Sequence, residues 1–319
     1  MTDELREQYD VVVVGGGAAG LNGALMLARA RRSVAVVDAG EPRNAPAHGV
    51  HGLLGREGMA PAELMAIGRG EVRQYGGHVA DGSVTSAKAV GGGFAVALAD
   101  GRNLNARKLL VTTGLVDRLP EIPGLAEHWG RDLVHCPYCH GWEVRDRPIG
   151  IVATGPMSMH HALLFRQWTD DLVVFTNDRL ALPPEEAEKL KARGTRVVDG
   201  AIERIESEGG RIRGVRLAGG EFVERSVLAT ASRMEARAGF LKDLGLNVVE
   251  HPSGAGEHVP TVDPTGMTSV PGVWVAGNVT DLMAQVGAAA AAGAMAGARI
   301  NMELVEDDTA AAVAAYRAR

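Results

Sequence analysis

Four valines at 11–14 run directly into Gly15-Gly16-Gly17-Ala18-Ala19-Gly20, and that junction restricts the fold more than any other stretch of the chain. Consecutive β-branched apolar residues suit a parallel strand buried on both faces. A helix is expected through 24–30, with Leu25, Met26 and Leu27, then a second strand at 33–37 ending on Asp38. Strand, glycine turn, helix, strand and acid are the parts of a dinucleotide-binding βαβ unit. Gly15 permits the tight turn, Gly17 lets a pyrophosphate approach the backbone, and Gly20 lets helix and strand pack closely. The helix N-terminus faces the anion. Asp38 lies 23 positions after Gly15, the spacing of an acid that accepts from ribose hydroxyls. A bare glycine match would be a weak signal; this one has its whole context.

Segments 79–84, 93–99 and 108–112 alternate and are separated by glycine turns, which predicts a small antiparallel meander returning to the first sheet. Pro120 to Gly124 reads as a crossing linker. A second βαβ pattern opens after Pro148: a strand at 149–153, a helix at 160–168 and a strand at 172–175. Its turn, Ala153-Thr154-Gly155-Pro156-Met157-Ser158, has lost the features of the first. Ala153 replaces the first glycine, Pro156 offers no backbone donor, and Met157 brings bulk where phosphate should approach. Thr176-Asn177-Asp178 closes the next strand with Arg179 as the one nearby cation, where a 2′-phosphate needs several. Two readings stay open: a dinucleotide fold that no longer binds NADPH well, or a divergent site that takes NADH through Asp178. Pro183-Pro184 starts a helix whose Glu and Lys run is read as a solvated face. The late strand at 273–276 and a helix of small residues over 285–300 return to the first domain. The expected division is 1–117 with 241–319, and 118–240. At 319 residues the chain suits two domains of α/β class.

A net charge of -6 argues against nucleic acid or an anionic membrane as partner. The opening residues 1–10 are polar, with no basic stretch followed by an apolar one, and the alanine-rich run 287–298 is too short to span a bilayer. The expected location is the cytoplasm.

Both cysteines of the chain fall in His135-Cys136-Pro137-Tyr138-Cys139-His140. Zinc would need two further ligands, and no second cysteine pair or suitably spaced histidine pair follows. Cys-Pro-Tyr-Cys-His also has the form of a haem attachment, which usually accompanies export. The third reading is a redox dithiol/disulfide, favoured by the two-residue spacing and by Pro137 stiffening the turn. His140 adjoins the second sulfur and is a candidate proton acceptor, since an imidazole titrates near neutral pH. No metal is assigned. The role of His135 stays open, as do those of Tyr138, Trp142 and Glu143.

Taken together, these residues resemble the low-molecular-weight thioredoxin reductase family over nearly the whole chain. The resemblance is carried by the 12–20 motif, by Thr112-Thr113-Gly114, by Cys136-Pro137-Tyr138-Cys139 before the second βαβ unit, and by the run 268–281 that contains Ala276-Gly277-Asn278. It implies two Rossmann-like, three-layer ββα nucleotide-binding domains and a homodimer. It implies that FAD sits in the first cradle, at Gly15, Gly17, Ala18, Ala19, Gly20 and Asp38, with Thr113 and Gly114 alongside. In that family an acid after the late glycine contacts the flavin ribityl chain; here it is Asn278, after Gly277. The helix start Gln285-Val286 is placed beside the isoalloxazine, and Asn44 is a candidate wall of the flavin pocket. The chain departs from the reductases where they carry an acid after the second cysteine, because His140 stands there, and where they carry an intact second cradle.

That combination, with Cys-Pro-Tyr-Cys-His-Gly-Trp-Glu at 136–143, is more similar to the dithiol oxidases of disulfide natural products, the holomycin, gliotoxin and romidepsin type. The similarity implies that a small-molecule dithiol is closed to a disulfide. Electrons then pass through Cys136 and Cys139 to FAD and on to O2, giving H2O2. The rival expectation is an NAD(P)H-dependent disulfide reductase of thioredoxin reductase type; a non-enzymatic alternative is a flavin-binding redox sensor. Sequence alone leaves the dithiol unidentified.

Overall fold

The computed structural model describes residues 3–319; the polar opening reaches back to Met1 and Thr2, which lie outside the described residues. The chain forms β1 (Gln8–Val14), α1 (Ala18–Arg29), β2 (Val34–Asp38), α2 (Pro61–Gln74), β3 (His78–Asp81), β4 (Val84–Val90), β5 (Gly93–Leu98), β6 (Asn103–Val111) and β7 (Leu115–Arg118). There follow β8 (Leu133–Val134), α3 (Pro137–His140), β9 (Ile149–Val152), α4 (Ser158–Phe165), β10 (Leu172–Phe175), α5 (Pro184–Ala192), β11 (Arg196–Val198), β12 (Ile202–Glu208), β13 (Arg211–Leu217), β14 (Phe222–Glu224) and β15 (Val227–Thr230). The last elements are β16 (Arg233–Ala236), the short pair β17 (Val249–Glu250) and β18 (Glu257–His258), β19 (Val273–Val275) and α6 (Val286–Arg317).

Two compact units result. One comprises Met1–Ala45, Met59–Val116 and Met234–Arg319; the other comprises Pro46–Gly58 and Asp117–Arg233. The chain crosses within β7 and returns within β16, at Met234 rather than at 241. The segment Pro46–Gly58 groups with the second unit, although its sequence position falls inside the first.

In the first unit a seven-stranded sheet runs β3-β2-β1-β6-β5-β4, with β19 also on β6. β6 explains how one sheet holds so many partners. Its Asn103–Ala106 half pairs antiparallel with β5, its Leu109–Val111 half pairs parallel with β19, and β1 lies along its other edge. The expected meander is therefore part of the main sheet, and the segment expected as one strand at 79–84 is two. Gly82 ends β3, which pairs parallel with β2, and β4 starts afresh at Val84. Alternate residues of the valine run serve opposite faces. Val11 and Val13 pack with Ala19, Leu27, Ala296 and Ile300 of α1 and α6, whereas Val12 and Val14 pack with Phe94, Val96, Val273 and Val275. Complete burial on both faces is what an unbroken apolar strand requires.

The second unit repeats the plan with a five-stranded parallel sheet, β11-β10-β9-β15-β8, and an antiparallel β12-β13-β14 sheet. Ile149 and Ile151 face α4 through Ala162 and Phe165, while Val152 and Val173 face Ile202, Ile205 and Val215. The structure thus has the expected two Rossmann-like domains. The helix expected over 160–168 begins at Ser158 and ends at Phe165, and the one expected over 285–300 runs on to Arg317. Its continuation is held by ion pairs: Lys108 with Glu303 and Asp307, and Asp308 with Arg32 and Arg107. Among the described residues no helix is long and apolar enough to cross a membrane.

Close approach of α1 to the strand before it needs Gly20. A Cβ there would lie 1.9 Å from the Gly15 carbonyl oxygen and 2.6 Å from Thr112 Oγ1. Gly155, in the corresponding turn of the second unit, has no atom within 4 Å of its would-be Cβ and no positive φ. Gly20→Ala should lower the thermal midpoint by about 5 °C or more, and Gly155→Ala should leave it unchanged. Calorimetry reads both, and equal midpoints would mean that α1 has room the geometry denies it.

Candidate active site

The first cradle is built from backbone. Gly15 has φ +105°, a region an L side chain rarely adopts, and a Cβ would lie 2.5 Å from the Thr112 carbonyl oxygen. Its N–H donates to Val37 O at 2.8 Å. Thr112 Oγ1 closes the turn from below, donating toward Gly15 O at 2.8 Å and Val14 O at 3.0 Å. Gly17 is the N-cap of α1. Among the described residues no side chain caps that helix, and a Cβ on Gly17 would meet nothing within 4 Å. Ala18 is the first helical residue; Ala19 is buried in the core between α1 and α6. Open space in front of an uncapped helix N-terminus is a place for an anion.

Asp38 behaves differently from the simple expectation. Its Oδ1 accepts the Gly16 N–H at 3.0 Å, and Oδ2 is paired with Arg69, which also reaches Asp81 at 2.8 Å. The carboxylate retains lone pairs for a ribose hydroxyl, but it is already part of a network. On the neighbouring turn Thr113 Oγ1 is buried without a partner among the described residues, and Gly114 has φ +67° with open space at its Cβ. Gly277 (φ +75°) brings the chain within 3.0 Å of Ala19 Cβ, measured from a built Cβ. Asn278 follows; its Nδ2 donates to the carbonyls of Asp281, Leu282 and Ala284. Gln285 is the N-cap of α6 and Val286 its first residue. Asn44 sits in the turn closed by Ala45 N–H on Pro42 O, with a half-buried side chain.

The dithiol site lies in the second unit. Cys136 is the N-cap of α3, Pro137 occupies its first position, and the N–H groups of Cys139 and His140 donate to Cys136 O at 3.2 and 3.1 Å. This tight turn sets the two sulfurs 2.6 Å apart, both partly buried, within reach of a disulfide bond. His140 is half-buried. Burial pushes its pKa below the ordinary imidazole value, the Glu143 carboxylate pulls it back up, and His51 and His48 push it down again. His51 comes from the segment Pro46–Gly58: its Nδ1 lies 2.6 Å from Glu57 Oε1 and its Nε2 3.5 Å from Glu143 Oε1. The Glu57 carboxylate is fixed further by the Gly52 N–H at 2.8 Å. His135 packs edge-on to His161 at 5.3 Å between ring centroids. Among the described residues no group of three or more His, Cys, Asp or Glu side chains could hold a metal ion.

The profile of the pyridine nucleotide-disulphide oxidoreductase family matches residues 9–295. The chain belongs to that family. Its curated relatives include thioredoxin reductase tcpT of Claviceps purpurea, 30% identical over 93% of this chain and 95% of that protein. Thioredoxin reductase sirT of Leptosphaeria maculans is 31% identical over 95% of this chain and 96% of that protein. Among solved structures, the crystal structure of HlmI matches with a TM-score of 0.90 at 44% identity, covering 99% of this chain and 98% of that one. This pyridine nucleotide-disulphide oxidoreductase is a flavin-dependent enzyme of thioredoxin reductase type, and its family binds FAD. The first cradle fits that cofactor: an open glycine turn, an uncapped helix, an acid at the end of β2 and a spare buried hydroxyl on Thr113.

The second cradle turns part of its polar groups inward. The Thr154 N–H donates to Ser158 Oγ at 3.0 Å, Pro156 has none to give, and Met157 stands exposed at the helix N-cap. Asn177 ties the turn down, its Oδ1 accepting the Ile202 N–H at 3.0 Å and its Nδ2 directed to Ala153 O at 3.4 Å. Asn177 and Asp178 both take φ of +51°. His161, in the first turn of α4, is pushed down to about pH 4 by burial, helped by His160, so it brings no positive charge at neutral pH.

Several of these groups escape sequence reasoning. Arg69, His48, His51 and Glu57 carry no local motif, and they reach their partners only through the fold. Ser158 and Asn278 were visible as polar residues in the two turns, but their internal hydrogen bonds were not. Gly17→Ala separates cradle from scaffold. It should leave the apoprotein's thermal midpoint unchanged and weaken FAD binding about tenfold, near ~1.4 kcal/mol. Flavin fluorescence titration measures the affinity, and an unchanged value would place the pyrophosphate elsewhere.

Proposed function

We propose that this enzyme oxidises a small-molecule dithiol to an intramolecular disulfide, with Cys136 and Cys139 as the redox pair and O2 as the final acceptor. The observation that carries the reading is the contrast between the cradles. Among the described residues neither helix has a side-chain cap, but the second turn spends the Thr154 N–H on Ser158, has no N–H at Pro156 and is clamped through Asn177. An NAD(P)H phosphate meets few donors there, and His161 brings no positive charge to it. Electrons then enter through sulfur.

The chemistry assigned to the chain's own residues is as follows. With the pair oxidised, a substrate thiol gives its proton to neutral His140, and the thiolate attacks Cys136 Sγ. The Cys136–Cys139 bond breaks, and Cys139 leaves as a thiolate. The second substrate thiol, deprotonated in turn, attacks the substrate sulfur of the mixed disulfide and frees Cys136. One substrate disulfide has formed and one enzyme disulfide has been reduced by two electrons. FAD, when bound, supplies a two-electron acceptor for the cysteine pair and a donor for O2, so that O2 and two protons leave as H2O2. Gly15, Gly17, Ala18, Gly20, Asp38, Thr113 and Gly114 are assigned to hold the cofactor. We also assign a homodimer on the family resemblance.

A second reading has its own support, since the curated relatives above are named thioredoxin reductases. Anaerobic mixing separates the two. A small dithiol should bleach the flavin and NADPH should not, whereas bleaching by NADPH at a rate compatible with turnover would favour the reductase. Cys136→Ser and Cys139→Ser should each cut dithiol-dependent oxygen consumption by at least about a hundredfold with FAD still bound; turnover surviving either change removes the pair from the reaction.

The lowered pKa of His140 fixes the sign of its pH effect. Neutral imidazole is the base, so it is competent at pH 7 and above and is lost as pH falls through a value below 6.5. The rate should show an acidic limb below 6.5. His140→Ala should lower the plateau roughly tenfold to a hundredfold and abolish that limb. A limb that persists in the variant would belong to another group.

A further inference from the structure

Asn278 stands where the thioredoxin reductases carry an acid, and its side chain is already engaged. Nδ2 donates to the carbonyls of Asp281 at 2.9 Å, Ala284 at 3.0 Å and Leu282 at 3.3 Å. An amide nitrogen has two hydrogens, so three oxygens converging on it share them. The same turn is tied at its other end. The N–H groups of Thr280 and Asp281 donate to Gly277 O at 3.0 and 2.9 Å, and that of Ala284 to Asp281 O at 3.2 Å. The Asp281 carboxylate accepts the Met283 N–H at 3.1 Å, and Leu282 is buried. The turn ends at Ala284, and the next residue, Gln285, is the N-cap of the 32-residue helix α6.

A carboxylate at this position would reverse the electrostatics. When ionised it has no hydrogen to donate, and it would face three carbonyl oxygens that lose their partner. An ionised aspartate at 278 is therefore incompatible with this turn as it is folded here.

We propose that Asn278 is a positioning residue whose amide closes the 280–284 turn and so fixes the start of α6, and that a carboxylate at 278 opens the turn and loosens FAD. The proposal rests on the family's use of FAD and is independent of the dithiol oxidase reading. Its core is a property of the polypeptide, which can be measured without cofactor.

The test uses the full chain with Asn278→Asp and Asn278→Ala. In the apoprotein at pH 8, hydrogen exchange at the amides of Asp281, Met283, Ala284 and Ala289 should speed up about tenfold or more in both variants, and most in the aspartate. Exchange in β1 and α1 should not change. The FAD dissociation constant should rise about tenfold for Asn278→Asp and less for Asn278→Ala. Affinity of the aspartate variant should recover as pH is lowered toward 5, because a protonated carboxyl can donate again. Normal FAD affinity with aspartate and weak affinity with alanine would overturn the proposal, since that pattern belongs to a residue valued only for contact with the cofactor. Unaltered exchange in both variants would overturn it as well. Should the aspartate protein fail to fold, exchange in Asn278→Ala decides alone: faster supports the clamp, and unchanged refutes it.

Discussion

The first unit depends on how near α1 comes to the strand that precedes it. Gly20 lies under the Gly15 carbonyl and Thr112 Oγ1, and no side chain fits between them. On an adjoining face of α1, α6 comes as close: a Cβ on Gly293 would fall 1.9 Å from Ala19 O, and one on Gly297 2.6 Å from Gly23 O. Small residues on both helices thus let α1 sit within backbone contact of β1 and of α6. The consequence reaches beyond packing. A helix pressed this tightly keeps its first-turn N–H groups in one place, and with Gly17 leaving the space ahead of them open, they form a fixed donor set for a phosphate. Packing density in the core and anion binding at its rim come from the same glycines.

The second unit repeats this fold with a different turn at the corresponding place. β9, α4 and β10 repeat the geometry of β1, α1 and β2, with the same parallel register and the same two-sided burial. What differs is where the donors are spent. Ser158, the first residue of α4, folds back on the Thr154 N–H, and Asn177 crosses from the end of β10 to Ala153 and Ile202. Each bond satisfies a backbone group of the turn or of the strand beside it. Burial removes the remaining attraction by holding His161 neutral. The scaffold is the same, and the turn between its first strand and helix is held by different polar contacts.

Much of this was readable from sequence because it is local. The valine run, the glycine turn and Asp38 announced their elements, and a two-residue cysteine spacing before a helix start placed both sulfurs on one turn. What was not readable depends on long-range partners. The helix expected to stop at Ile300 continues because Lys108, Arg32 and Arg107 hold its acidic middle, and alanine, the best helix former, takes five of the six positions 310–315. Residues 79–84 alternate like one strand, yet Gly82 divides them between a parallel and an antiparallel neighbour. Pro46–Gly58 interrupts the first unit in sequence but groups with the second, and no composition shift marks it. Asp38 was legible as an acid at the right spacing; Arg69, its partner, was not.

That excursion has a chemical consequence for His140. A half-buried imidazole held only by its own turn would be neutral and free of other control. Here His51 reaches it from a distant part of the chain and is itself set between Glu57 and Glu143, so the charge near His140 depends on two segments staying together. Glu143 favours the protonated imidazole, and burial with His51 and His48 favours the neutral one; desolvation is the largest of these effects and decides the direction. A base that is neutral at rest, with a carboxylate close enough to ease its protonation, can take a thiol proton and release it again. An acid in place of His140 would be ionised at neutral pH and would oppose a thiolate forming on the sulfur beside it. On the proposed reading, the residue after the second cysteine bears on which sulfur chemistry the pair is suited to, and a neutral imidazole there suits it to accepting protons from a thiol.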